Sequence, residues 1–224
     1  MIFDFITAGI FDAATLFQWV VDNASYLLIF VLMTVESSFI PFPSEVVVPP
    51  AAYLACTKGD MNVFAVVLVA TAGALCGALI NYFLSLWIGR PLVYSFADSR
   101  LGHALLINRE KVDNAEKYFD SHGAVSTFIG RLIPAVRQLI SIPAGLARMN
   151  LGVFCIFTAL GAGIWNGILA VLGWWLGRTV PLDQLFIQVE KYNDYLTWAG
   201  LAIGVVCLGV ILYNLLRPRR KPQA

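Results

Sequence analysis

Three stretches of the chain, residues 61–89, 149–177 and 195–216, contain no charged side chain. Each reaches or exceeds the ~20 apolar residues that a helix needs to cross a ~30 Å hydrocarbon core, so three spanning helices are expected. Composition agrees. Hydrophobic residues make up 59% and charged residues 13% of 224 residues, and the mean hydropathy is +0.76. A domain of that kind takes lipid as its solvent. A net charge of +1 offers nothing to nucleic acid. Cys56, Cys76, Cys155 and Cys207 are scattered through apolar runs without paired spacing, so they read as small hydrophobes, with no disulfide framework or metal site expected. No Lys or Arg precedes Lys58, which leaves no basic leader of the secretory type.

Two further apolar stretches are interrupted. Residues 40–57 contain Pro41, Pro43, Pro49, Pro50 and Glu45, and residues 123–147 contain Arg131, Pro134, Arg137 and Pro143. Proline removes a backbone donor, and non-helical backbone survives at membrane depth only where protein or a wet cavity satisfies it. Both stretches are therefore expected to be re-entrant hairpins. They also resemble each other: Phe39-Ile40-Pro41 with Pro50-Ala51-Ala52 lies over Leu132-Ile133-Pro134 with Pro143-Ala144-Gly145 at one constant spacing. The helices that follow end alike, in Trp87-Ile88-Gly89-Arg90 and Trp175-Leu176-Gly177-Arg178. The expected fold is an all-α polytopic membrane protein. It has two repeats, each a re-entrant hairpin followed by a transmembrane helix, plus a C-terminal transmembrane helix. One crossing separates the hairpins, because the linker at 90–122 is too polar to cross, so the repeats are inverted, an arrangement that builds a site at the midplane.

Basic residues give the orientation. Arg90, Arg100, Arg109, Lys111, Lys117, Arg148, Arg217, Arg219, Arg220 and Lys221 fall on one side of this topology, and Lys58, Arg178 and Lys191 on the other. The positive-inside rule makes the first side, with the basic tail 217–224, cytoplasmic. Residues 1–22 are expected to lie in the interface and 23–216 to form the membrane domain, although the apolar run 23–35 is short for a crossing. Val112, Ala115 and Phe119 recur at helical spacing among charges, as in an amphipathic helix on the cytoplasmic surface.

Four ionisable residues sit at apparent membrane depth: Glu36, Glu45, Arg131 and Arg137. Each costs about 2.5 to 3.5 kcal/mol on insertion scales if it is an Arg or an acid at a helix centre, so they must pair or face a hydrated cavity. With the hairpins entering from opposite faces, the acidic and basic pairs meet. One outcome is a structural ion-pair cluster; the other is a transport site. The guanidiniums suit bidentate recognition of an oxyanion, a phosphate or a phosphate-bearing lipid head group, and so Arg131 and Arg137 are the candidate substrate-binding residues. Glu36 and Glu45 are the candidate proton-coupling residues, since a poorly hydrated carboxyl exchanges protons nearer neutral pH.

These residues resemble the DedA family, also called the VTT or SNARE-associated Golgi protein-like family, over roughly residues 26–178. The resemblance rests on Glu36-Ser37-Ser38-Phe39-Ile40-Pro41-Phe42-Pro43-Ser44-Glu45, on residues 119–123, and on Gly130-Arg131-Leu132-Ile133-Pro134-Ala135-Val136-Arg137 with Pro143-Ala144-Gly145. It implies a multi-pass transporter of the bacterial inner (plasma) membrane, whose acidic and arginine pairs fall on Glu36, Glu45, Arg131 and Arg137. Undecaprenyl phosphate recycling is proposed for several members. One departure is visible: Ser37 follows Glu36 where many members have Asn.

Partners expected from these readings are membrane lipids, with undecaprenyl phosphate foremost, and protons; a homo-oligomer is left open. A non-transporting scaffold would account for the glycines but not for the buried charges. A membrane lipid phosphatase would use the same arginines but needs a nucleophile and an acid or base, and neither His103 nor His122 lies in a hairpin. No enzyme activity and no cofactor are expected. Gly73 with Gly77, and Gly161 with Gly163 and Gly167, read as helix-packing faces. Trp87, Trp174 and Trp175 read as interface anchors. Asn81 and Asn166 either bond across helices or line the pathway.

Overall fold

The computed structural model describes residues 13–38, 44–59, 61–89, 91, 109–133, 136–182 and 184–192, together with 195, 198 and 202. The described residues are helical throughout: α1 (Ala13–Asp22), α2 (Tyr26–Glu36), a 3-10 turn at Ser44–Val46, α3 (Val48–Thr57), α4 (Val63–Leu84), α5 (Arg109–Leu132), α6 (Ser141–Leu146) and α7 (Leu151–Thr179). A π-helical turn at Ser85–Gly89 prolongs α4. Two helices, Val63–Gly89 and Leu151–Thr179, are long and apolar enough to cross a membrane, close to the bounds expected for the first two spans. The expected third span, apart from residues 195, 198 and 202, lies outside the described residues, as do the basic tail, residues 1–12, Pro41, Pro43 and Pro134.

Helix starts follow local chemistry. The Asn62 carboxamide accepts from the amides of Phe64 and Ala65 (2.8 and 3.3 Å), and Asn150 accepts from Val153 (3.1 Å). Each satisfies amides that the first turn leaves without a partner. Pro49 and Pro50 occupy the first turn of α3, and Pro143 that of α6. At those positions the missing N–H costs nothing, so these prolines begin helices rather than interrupt them.

Helices α4 and α7 form the frame and run antiparallel. The early half of α4 (Val66, Ala70, Ala74) shares one core cluster with the later half of α7 (Ala162, Trp165, Leu169, Ala170), while Ala78 and Tyr82 of α4 share another with Phe154 at the start of α7. The two interrupted stretches pack at opposite ends of this pair. A methyl group added to Gly173 of α7 would strike the backbone of Pro49 in α3, and one added to Gly145 of α6 would strike the Tyr82 carbonyl of α4. The packing glycines are partly those expected. Gly73 and Gly77 seat α2 closely, against Phe30, Met33, Thr34 and Ser37. Gly161 seats against Arg131 and Phe128, but Gly163 has only Thr71 at 3.8 Å and Gly167 has open space; the face is completed instead by Gly173 and Gly177, on α3.

Two observations bear on the segments expected at 1–22 and 123–147. The expected surface helix and the first arm of the expected second hairpin fall within a single helix, α5 (Arg109–Leu132). The described part of the N-terminal segment packs into the body: Leu16, Phe17 and Val21 of α1 are buried with Tyr53, Leu54 and Leu176.

Candidate functional site

Glu36 ends α2, Glu45 sits in the 3-10 turn before α3, Arg131 lies in the last turn of α5, and Arg137 belongs to the turns that link α5 to α6. All four side chains are buried. Each stands at a helix end or in a turn rather than in mid-helix.

The structure brings the four together as expected, but unequally. One Arg137 nitrogen, Nη2, lies 3.0 Å from Glu36 Oε1 and 3.4 Å from Glu45 Oε1, so a single guanidinium serves both carboxylates. The Ser37 hydroxyl donates to the other Glu36 oxygen at 2.9 Å. Arg137 also lies over the Trp165 ring, 5.2 Å from its centroid, a cation–π contact in a desolvated place. Arg131 has a different partner: its Nη2 donates to Ser141 Oγ at 3.0 Å, the first residue of α6.

Arg131, Arg137, Glu36 and Ser37 line one cavity with Met33, Ala74, Ala162, Trp165 and Asn166. Its volume is about 10 Å³, which admits about one water molecule. Several donors around it lack a partner among the described residues, namely Arg131 Nε, Arg137 Nε and Trp165 Nε1. Unmet buried donors are costly unless something accepts from them, and three of them near one cavity suit an anionic acceptor.

Asn81 and Asn166 resolve differently. The Asn81 carboxamide donates to the carbonyls of Ser37 (3.1 Å) and Gln138 (3.4 Å), tying α4 to the chain beside both breaks. Asn166 donates to Thr71 Oγ1 at 3.4 Å and lines the cavity as well. Trp165, Ser141 and Ser37 were not singled out as site residues by sequence. The signal for Trp165 was its place: it stands mid-helix beside Asn166, away from the ends where anchoring tryptophans sit. Trp87 and Trp175 are exposed at helix ends, as anchors would be, and Arg178 stacks on Trp174 at 3.7 Å.

Residues 42–175 match the VTT domain family. The chain is 37% identical over 193 residues to an alkaline phosphatase-like protein of Lactococcus lactis subsp. lactis, covering 86% of this chain and 87% of that one. It is 30% identical to undecaprenyl phosphate transporter A of Bacillus subtilis, covering 79% and 82% of the two chains. It is 25% identical to protein DedA of Escherichia coli, covering 71% of each. No solved structure matches the chain. The chain therefore belongs to the VTT domain, or DedA, family of membrane proteins.

Proposed function

We propose that this protein is a proton-coupled transporter of a lipid phosphate such as undecaprenyl phosphate. In this proposal it is a multi-pass protein of the bacterial plasma membrane with the C-terminal tail in the cytoplasm, and its two interrupted stretches are inverted re-entrant repeats. Arg131 and Arg137 bind the phosphate, and Glu36 and Glu45 carry the protons. The observation that carries the proposal is the sharing of Arg137 by both glutamates beside a cavity that Arg131 also lines. The B. subtilis relative's name supports the substrate class, and the packing of α3 and α6 at opposite ends of the α4–α7 frame supports the inverted repeat.

Charge balance gives the coupling. With all four groups ionised, two carboxylates cancel two guanidiniums, and Arg137 Nη2 is shared between the two carboxylates. A phosphate monoester brings a charge of about −1.5 to −2, which a poorly solvated site tolerates only if it is offset. Proton uptake by Glu36 and Glu45 neutralises both carboxylates, frees Arg137 for the phosphate oxygens, and restores the balance. Release of the phosphate and of the protons returns the arginine to its carboxylates, so the empty site closes. An anion that enters with protons and leaves with them is driven by their gradient.

A second reading, hydrolysis of the same phosphate, rests on the Ser37 hydroxyl bonded to Glu36 beside two guanidiniums and on the name of the L. lactis relative. Reconstitution into liposomes decides between them. Transport predicts that a lipid phosphate placed in one leaflet reaches the other intact, faster with an imposed pH gradient. Release of inorganic phosphate at a matching rate would establish hydrolysis instead, and equal rates with empty liposomes would overturn the proposal.

A further inference from the structure

A second concavity lies on the same α4–α7 seam as the charged cavity. It is an apolar groove of about 740 Å³, within the ~300–1,000 Å³ range of ligand pockets. Val63, Phe64 and Val67 of α4 face Gly167, Ala170 and Trp174 of α7 across it. Phe64 and Leu68 on its rim are 82% and 71% exposed, so it opens to the surroundings of the helices, which for a membrane protein are lipid. Its lining residues and those of the charged cavity succeed one another along the same two helices. Val67, Thr71 and Ala74 follow at helical spacing on one face of α4, and Ala162, Asn166 and Ala170 on one face of α7. Ala74, Ala162 and Asn166 line the cavity, Val67 and Ala170 line the groove, and the Asn166–Thr71 hydrogen bond of 3.4 Å stands between them.

We propose that this groove holds the hydrocarbon chain of the amphiphile whose phosphate reaches Arg131 and Arg137, with the Thr71–Asn166 pair as the partition between tail and head. The inference rests on the head-group site of the preceding section. A polar partition suits this place: the Asn166 and Thr71 side chains satisfy each other while the seam is closed, and Asn166 is free to donate to the head group when it opens. The small residues on the α7 wall keep the groove deep. Among the described residues, a Cβ at Gly167 would have no heavy atom within 4 Å, so the space beside it is not spent on packing α4 against α7, unlike that beside Gly161 or Gly173, which other helices fill.

That open space suits the test, because the Cβ of Gly167→Leu meets no described atom within 4 Å and its side chain starts in the groove, and leucine is the better helix former. Purified wild-type protein and Gly167→Leu in detergent are titrated with a long-chain polyprenyl phosphate and with dimethylallyl phosphate, which carries the same head on a chain too short to fill the groove. The expected result is a loss of roughly tenfold or more in affinity for the long-chain ligand, since a few buried methylene groups suffice for that, with the short-chain affinity unchanged. Should Gly167→Leu fail to fold, Val171→Trp on the same wall, where the valine is 65% exposed, gives the same contrast. An unchanged ratio, with the wild type binding both ligands, would assign the groove to bulk lipid and overturn the inference while leaving the head site intact. Equal weakening for both ligands would also overturn it, because the leucine would then be acting on the head cavity. Binding of neither ligand by the wild type would overturn the head site itself, and the inference with it.

Discussion

The first interrupted stretch, with the helix end before it, contributes two buried carboxylates and the second contributes two buried guanidiniums, yet only one of the guanidiniums is paired with the carboxylates. Arg137 holds Glu36 and Glu45 together, whereas Arg131 bonds a serine of its own stretch. The two arginines therefore differ in kind: Arg137 bonds across to Glu36 and Glu45, and Arg131 bonds within its own stretch. By contrast, the scaffolding of the two stretches is alike. Each starts a short helix with proline in its first turn and lays it on the α4–α7 frame at a glycine.

Breaking the comparison at its strongest point means Arg137→Leu, which leaves two buried carboxylates without their cation. Removing one partner of a buried pair typically costs about 3 to 5 kcal/mol, and thermal unfolding of the purified variant should show the largest destabilisation of the set. A melting temperature equal to wild type would mean that the carboxylates do not depend on Arg137.

The likeness of the scaffolding is tested by Gly173→Val and Gly145→Val, one for each stretch. Both should destabilise by roughly 1 to 3 kcal/mol through overpacking, by similar amounts, because each added side chain meets a backbone carbonyl. A large cost at one glycine and none at the other, measured in the same unfolding assay, would show that the two stretches are held differently.

Within the acidic stretch, Glu36→Gln should cost more stability than Glu45→Gln. The Glu36 contact with Arg137 is shorter, 3.0 against 3.4 Å, and Glu36 also accepts from Ser37. Either glutamine leaves Arg137 one carboxylate, so both losses should stay below that of Arg137→Leu; the reverse order of the two would reassign the principal partner.

Arg131→Lys should change stability least, since an ammonium still donates to Ser141, yet it should lower lipid phosphate binding at least about tenfold, because a point charge does not reproduce the planar fork. Undiminished binding would take Arg131 out of the head site.

What could be read in the sequence follows from how localised each signal is. Glu36, Glu45, Arg131 and Arg137 were legible because ionisable residues inside apolar runs are rare and costly. The spans at 61–89 and 149–177 were legible because length and hydrophobicity are properties of a segment alone. The inequality of the arginines was not, since it depends on which rotamers two separate stretches can reach. Trp165 and Ser141 were missed for a related reason: neither type is unusual inside a membrane helix until a charged neighbour arrives from elsewhere. Helix α5 escaped as a single element because its charged first half, with Arg109, Lys111 and Lys117, looked like a surface segment distinct from the apolar half after Gly123. Gly167 looked like a packing glycine by spacing, but only the positions of the other helices show that none of the described residues packs on it.

The coupling claim is tested most directly by lipid phosphate translocation in liposomes, with and without an imposed pH gradient, for wild type, Glu36→Gln and Glu45→Gln. Gradient-driven transport by the wild type is the expected baseline, and at least one folded glutamine variant should still bind the lipid phosphate while its transport no longer responds to the gradient. Two well-folded glutamine variants that remain fully gradient-driven would contradict the account, because neither carboxyl would then be carrying the proton.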